Sequence, residues 1–287
     1  MSLKRKQKSA PALWSRSHAG EFREMPESGL CTVSLKIKLP PRLSFLNKRR
    51  LLFFSDIHLR PTGPYPAGQG LSPWHNAGFP GDAVLREAEK FQPDYTLFGG
   101  DLIRHICCFD AGIHFLKALP GRLKLAVYGN WDKRRVSWFP FRVFERELKK
   151  AAFLPLVNEA VAIDGIRFFG LDDFKSGFPY YEAPEEKSFF NCVLSHNPDA
   201  VPFAMTENDL RGTDLILCGH THGGQIRIPG YGAVLTSSIY GKHFEYGLYE
   251  NRSSQTKMFV SAGLGITFIP VRICCPPEIV KIELTAQ

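Results

Sequence analysis

Three short runs are apolar at nearly every position, and each closes on an acid or an amide: "RRLLFFSD" (49–56), "YTLFGGD" (95–101) and "LKLAVYGN" (123–130). A strand without polar alternation has no face to give to water, so it has to be buried on both sides of a sheet. Between the runs, "DAVLREAEKF" (82–91) and "AGIHFLKAL" (111–119) carry apolar residues at helical spacing, and Asp82 is read as the first helix's N-cap. Strand and helix in alternation predict a βαβαβ unit and a parallel sheet. The second half is richer in strands. "LVNEAVAI" and "IRFFGLDD" flank Asp164-Gly165, a hairpin signal. "NCVLSH", "DLILCGH", "GQIRI", "KMFVSAG" and "EIVKIEL" read as further strands, giving a mixed sheet packed on the first.

Composition narrows the class. Hydrophobic residues make up 44% of the 287 and charged residues 22%, as in an ordinary globular domain. No apolar run approaches the ~18 residues that a membrane span needs. The basic start "MSLKRKQKS" has no apolar stretch behind it and does not read as a secretory signal. The net charge of +8 is concentrated: residues 1–50 hold 12 Lys/Arg against 3 Asp/Glu, and the remainder is close to neutral. The reading is therefore a basic, loosely ordered arm over 1–33, Trp14 apart, ahead of one domain over 34–287. Such an arm suits an anionic membrane surface, and a solvated tail accounts for it equally; nucleic acid is not expected as a partner. Seven cysteines without a CxxC spacing read as reduced thiols in the cytoplasm.

The ends of the strands carry the chemistry. "FFSDIHL" supplies Asp56 and His58, "FGGDL" Asp101, "YGNWD" Asn130, "VLSHNPD" His196, and "CGHTHGGQ" His220 and His222. In parallel α/β sheets, sites form beyond the carboxyl ends of the strands, so the topology gathers these seven. Carboxylate, amide oxygen and imidazole are ligands for hard to borderline cations, and no cysteine stands among them. Two ions about 3.5–4 Å apart need a shared carboxylate. Each D-x-H or H-x-H pair, read as extended chain, turns both side chains to one side. Gly99-Gly100 and Gly223-Gly224 are expected to bring backbone close to the metals.

The order D-x-H, G-D, G-N-x-D, S-H, G-H-x-H resembles the calcineurin-like metallophosphoesterases over roughly residues 34–284. The resemblance implies a four-layer α/β/β/α sandwich of two mixed sheets with a dinuclear site. Asp56, His58 and His222 would hold one metal, Asn130, His196 and His220 the other, and Asp101 would bridge them. Asp101, Asn130, His196 and Asp132 would be the catalytic residues, with a metal-bound hydroxide attacking phosphorus in line. The ions would be divalent, Mn²⁺ favoured, with Fe or Zn as alternatives. "CGHTHGGQIRIPG" and "FVSAGLGITFIPVRICCPPEIVKIEL" are similar to the bacterial branch that includes the UDP-diacylglucosamine pyrophosphatases of the lipid A pathway. That implies a pyrophosphate bond in a lipid-linked nucleotide sugar as substrate, reached from the inner face of a membrane. A phosphodiesterase or phosphomonoesterase acting on soluble nucleotides or phosphoproteins is the alternative, and a binding module without activity is a third.

One position departs from the pattern. The family motif is usually G-N-H-D or G-N-H-E, its histidine serving as acid to the leaving group or as stabiliser of the transition state, and here Trp131 stands in its place. Indole only donates a hydrogen bond and does not titrate. General acid catalysis typically supplies 10²–10⁴-fold, which an alkoxide leaving group needs far more than a phosphate does. Trp131 thus points to cleavage of a phosphoanhydride; stacking on a substrate base or filling the pocket are the other readings. His75 and His105 are candidate donors in its stead. Lys133, Arg134 and Arg272 could bind an anionic substrate, and all three suit a solvated surface as well.

Overall fold

The computed structural model describes residues 10–18, 20–25, 29–61, 79–134, 141–184, 188–267 and 269–286. Two seven-stranded sheets stack face to face. The first runs Glu21–Glu24, Cys31–Lys38, Glu278–Thr285, Arg50–Phe54, Tyr95–Phe98, Leu123–Ala126, Phe153–Pro155 from edge to edge. The second runs Trp14–Arg16, Gly247–Asn251, Lys257–Val260, Leu215–Cys218, Phe190–Ser195, Ile166–Gly170, Glu159–Ile163. Four strands of each sheet are parallel: 50–54 through 153–155 in the first, and 166–170, 190–195, 215–218 and 257–260 in the second.

The unbroken apolar runs divide among three clusters, one between the sheets and one on each outer face. Leu51, Phe53, Tyr95, Leu97 and Leu125 meet Cys192, Leu194, Leu215 and Leu217 between the sheets. Their neighbours Phe54, Phe98 and Ala126 face outward, under the helices Gly81–Phe91, Phe109–Ala118 and Phe141–Lys150. Val193 and Ile216 face the opposite outer layer, which includes Ala200–Ala204. The period of two in the strand is what divides each run between the inner cluster and an outer one. The result is the four-layer α/β/β/α sandwich. Asp164 and Gly165 both take positive φ, 50° and 82°, as a two-residue hairpin turn needs.

Three local expectations are corrected. The first helix begins at Gly81 with Pro80 as its N-cap, and Asp82 lies in its first turn. "GQIRI" is not a strand of either large sheet: Arg227–Ile228 pairs with Gly232–Ala233 in a separate two-stranded ribbon. The expected loose arm contains two edge strands. Trp14–Arg16 pairs with Gly247–Asn251, and Glu21–Glu24 with Cys31–Lys38. Trp14 is buried edge-on against Phe244 at 6.4 Å. Strands of three and four residues on sheet margins are too short to show a period, which is why the sequence carries no sign of them.

Candidate metal centre

All seven expected ligands gather where the parallel strands of both sheets end. Asp56, His58, Asp101, His196, His220 and His222 are buried. Asn130 opens the short helix Asn130–Arg134 and lines the same cleft as His58, Asp101, His220 and His222. The chain makes sharp turns to bring them there. Asp56, His58, Asp101, His220 and His222 all have φ between 46° and 69°, so the D-x-H and H-x-H pairs are turned loops rather than extended chain. Left-handed backbone is unfavourable at such residues and persists where surrounding contacts enforce it, commonly at functional sites. The glycines of the motifs supply the room: a Cβ on Gly129 would collide with the Asp101 carboxylate, and one on Gly219 with that of Asp56. Gly223 and Gly224 instead make room for Cys275 and Ala233.

The ligand atoms form two adjoining groups. In the first, His222 Nε2 lies 3.3 Å from Asp56 Oδ1 and 3.1 Å from His58 Nε2. In the second, His196 Nε2 lies 3.4 Å from Asp101 Oδ2 and 3.1 Å from His220 Nδ1. The same Asp101 Oδ2 is 3.3 Å from His58 Nε2, so one oxygen faces both groups. Asp101 Oδ1 is turned away and accepts from the Trp131 amide at 2.8 Å. His196 Nδ1 is 2.8 Å from the Gly99 carbonyl, which can only accept; Nδ1 therefore carries a hydrogen, and Nε2 is the atom turned to the cluster.

The residues fit divalent cations. Asp56 Oδ1 and Asn130 Oδ1 are buried acceptors with no hydrogen-bond donor, and His220 Nε2 is buried without a partner. Such atoms are costly to leave unsatisfied, and a cation satisfies several together. The ligand atoms of Asp56, His58 and His222 lie within 4.8 Å of one another, as do those of Asp56, Asp101 and His196. The electrostatics agree. Burial works against ionised carboxylates, yet the imidazoles of His222, His196 and His58 hold Asp56 well below the usual range. Asp101 is lowered, again against burial, by His196 and His58. Burial pushes His58 down to about 4, against the pull of Asp101 and Asp56.

Asp132 does not face the cluster. Its Oδ2 accepts from the amides of Asp101 at 2.7 Å and Gly129 at 2.9 Å, and its Oδ1 from Leu102 at 2.9 Å. It clamps the loop of Asp101 to the loop of Asn130, and it is a positioning residue. Burial, with Asp101 nearby, raises its pKa to about 7 against those three amides. Trp131 forms part of the cleft wall, edge-on to His58 at 5.5 Å, with the Arg104 guanidinium 5.2 Å over its ring. Lys133 is paired to Asp172. Arg272 is half-buried and is not part of the cleft wall: its guanidinium donates to the carbonyls of Ala262 at 2.8 Å, Gly263 at 3.1 Å and Cys275 at 3.2 Å. His105 is exposed, with Nδ1 3.6 Å from Cys107 Sγ. His75 and the side chain of Arg134 lie outside the described residues.

The cleft has a volume of about 740 Å³. Sequence reasoning missed its other wall, which includes Lys175, Gln225, Val234, Leu235 and Ile269. Gln225 closes the run "CGHTHGGQ" and Ile269 lies in the C-terminal run, but neither was read as part of the site, and Lys175, Val234 and Leu235 come from loops outside the motifs.

A sandwich of two sheets whose strand ends gather carboxylate, amide and imidazole ligands into two adjoining cation positions defines the metallophosphoesterase class. A family model described as calcineurin-like phosphoesterase matches residues 49–224, and the chain belongs to that family. The metallophosphoesterase YkuE of Bacillus subtilis is 33% identical over 213 residues, covering 70% of this chain and 71% of its own. The phosphodiesterase YaeI of Escherichia coli is 29% identical over 247 residues, covering 82% of each chain. The crystal structure of the calcineurin-like phosphoesterase YfkN from Bacillus subtilis is similar at 12% identity and a TM-score of 0.37, covering 76% of this chain and 82% of that one.

Proposed function

We propose that the protein is a hydrolase that cleaves the phosphoanhydride of a lipid-linked nucleotide sugar with two bound divalent ions, Mn²⁺ foremost. The observation that carries the reading is Asp101, whose single oxygen faces both ligand groups. Bound there by Asp56, His58, Asp101, Asn130, His196, His220 and His222, such ions supply Lewis-acid polarisation of phosphoryl oxygens and acidify water. The protein's own groups do the rest. The Asp132 clamp and the Trp131 amide fix Asp101, keeping its Oδ2 between the two ligand groups, where it would hold both ions. Lys175 offers a positive charge in the cleft wall to a phosphate. Trp131 offers no titrating proton where the family has its histidine. His105, the described alternative, is not part of the cleft wall. With no such acid at this position, a leaving group that departs as a stable anion is favoured, hence an anhydride. The apolar residues Val234, Leu235 and Ile269 in the opposite wall suit the lipid portion. All seven ligand positions are filled, which speaks against a binding module that has lost its chemistry.

The likeness to the phosphodiesterase YaeI favours a second reading, a phosphodiesterase acting on soluble substrates. A panel separates the two. The Mn²⁺-loaded protein is assayed against a UDP-diacylglucosamine, UDP-glucose, bis(p-nitrophenyl) phosphate and p-nitrophenyl phosphate. The lipid-linked anhydride is expected to have the highest kcat/KM. A preference for the soluble diester would replace the first reading with the second, and no turnover of any of them would remove both.

A further inference from the structure

One side of the cleft mouth is apolar and faces solvent. Ile228, Val234, Leu235, Ile239, Ile269 and Ile273 are each 46% to 77% exposed. They stand on the segments 226–239, which includes the small ribbon, and 269–273, and Val234, Leu235 and Ile269 line the cleft itself. The loops are joined. Ile226 and Ile273 form a β-bridge, and Gln225 donates from Nε2 to the Ile269 carbonyl at 2.9 Å while its Oε1 accepts from Thr267 Oγ1 at 3.0 Å. The first loop is also pinned from beneath. Buried Asp199 accepts from Ser238 Oγ at 2.5 Å and from the Ile239 amide at 2.8 Å. Ser237 Oγ donates to the His220 carbonyl at 2.8 Å. The polar groups of this loop are spent on holding it in place, and its aliphatic side chains are held outward. Contiguous exposed apolar surface of this kind marks a surface that something covers.

We propose that this collar seats in the acyl region of a lipid bilayer, with the metal cleft opening onto the membrane. The proposal rests on the reading that the substrate is lipid-linked. The position of the collar selects the occupant. It bounds the entrance, so a folded partner or a second copy seated on it would stopper the cleft. A bilayer covers the collar and leaves the substrate a path from membrane to metals. The chemistry agrees. Protein interfaces concentrate Tyr, Trp and Arg at their centres, whereas this collar is aliphatic. In the turn between Ile228 and Val234, exposed Tyr231 lies under the Lys242 ammonium, a pairing suited to the headgroup layer, where aromatic and lysine side chains place apolar bodies inward and polar ends in water.

The test is co-sedimentation of the full chain with phosphatidylcholine vesicles, without metal or substrate, in 0.1 M and 1 M NaCl. Salt shortens the Debye length from about 10 Å to about 3 Å over this range and removes attraction by surface charge, but leaves apolar insertion intact. The protein is expected to bind these neutral vesicles in both salts. The exposed substitutions Ile228→Glu with Ile239→Glu are expected to lower the bound fraction about tenfold, with an unchanged melting temperature as the control for folding. Three results would overturn the proposal: no binding to neutral vesicles, binding only to anionic vesicles and only at low salt, or a concentration-dependent dimer that the same two substitutions abolish. None of these depends on turnover, so Mn²⁺-dependent hydrolysis of UDP-diacylglucosamine in detergent tests the function separately from the membrane seat.

Discussion

Asp101 holds its place through one oxygen and presents the other to both ligand groups, and this division makes it the most informative residue to change. Asp101→Asn keeps the shape and the contact with the Trp131 amide but weakens the shared ligand. Loss of a residue that merely supports a ligand typically costs 10–100-fold in affinity or activity. Asp101→Asn is expected to cost more, and elemental analysis should find fewer than two ions per chain. Trp131 is tested in the opposite sense. Trp131→His restores the family residue, and it should raise the rate on alkyl phosphodiesters by up to about 10²-fold while leaving a pyrophosphate nearly unchanged, because only the former needs a proton in the transition state. Equal effects on both substrates in a leaving-group series would remove the role assigned to Trp131. The gathering of the seven candidate ligands was legible in the sequence because they follow apolar runs whose burial places the next polar residues at a sheet's end. The positive φ of Asp56, His58 and His222 was not legible, since it is imposed by packing between loops far apart in the chain. Asp132 was legible as a residue but not in its role, because backbone amides are its partners and no sequence motif records them.

Among the elements, the edge strand Glu21–Glu24 reaches the site through a relay. Arg23 donates to the fully buried Glu278 at 2.9 Å, and Tyr246 OH donates to the same carboxylate at 2.8 Å. The other oxygen of Glu278 accepts from the Ala262 amide at 2.8 Å. The chain that follows lies along the first metal loop, with the Leu264 amide on the Ser55 carbonyl at 3.0 Å and the Gly265 amide on that of Asp56 at 2.7 Å. Arg23→Ala would leave a buried carboxylate without its cation. Removing one partner of a fully buried pair costs about 3–5 kcal/mol. The Arg23 side chain is 27% exposed, so solvent screening reduces the expected loss to roughly 2 kcal/mol. Urea denaturation of the metal-free protein measures it, and calorimetric titration with Mn²⁺ should show weaker binding. A stability loss with unchanged affinity would confine Arg23 to a structural role. The strand itself was hidden from the sequence because its alternation spans four residues, and the apolar collar was hidden because its isoleucines sit in Pro- and Gly-bearing loops where periodicity has no meaning.

At the scale of the whole molecule the two sheets share one core, and large side chains such as Phe53 and Phe168 fill it without exposure. Phe53→Ala is expected to cost about 3–5 kcal/mol through lost burial and the cavity left behind. Equilibrium unfolding should report the loss, and a value under about 1 kcal/mol would mean that the sheets close over the gap. The order of strands has a consequence for how such a molecule comes into being. In the first sheet Glu278–Thr285 lies between Cys31–Lys38 and Arg50–Phe54, parallel to one and antiparallel to the other. On the ribosome those two neighbours emerge more than two hundred residues before the strand that joins them. Until it arrives, each presents an unpaired edge, the feature that invites association between nascent chains. Completion of this sheet therefore waits until residues 278–285 have left the ribosome, and a chaperone has edges to hold in the interval. A chain arrested on the ribosome after residue 277 should be cleaved by protease throughout its first fifty-four residues, and resistance there before 278–285 is made would show that the sheet closes by another route.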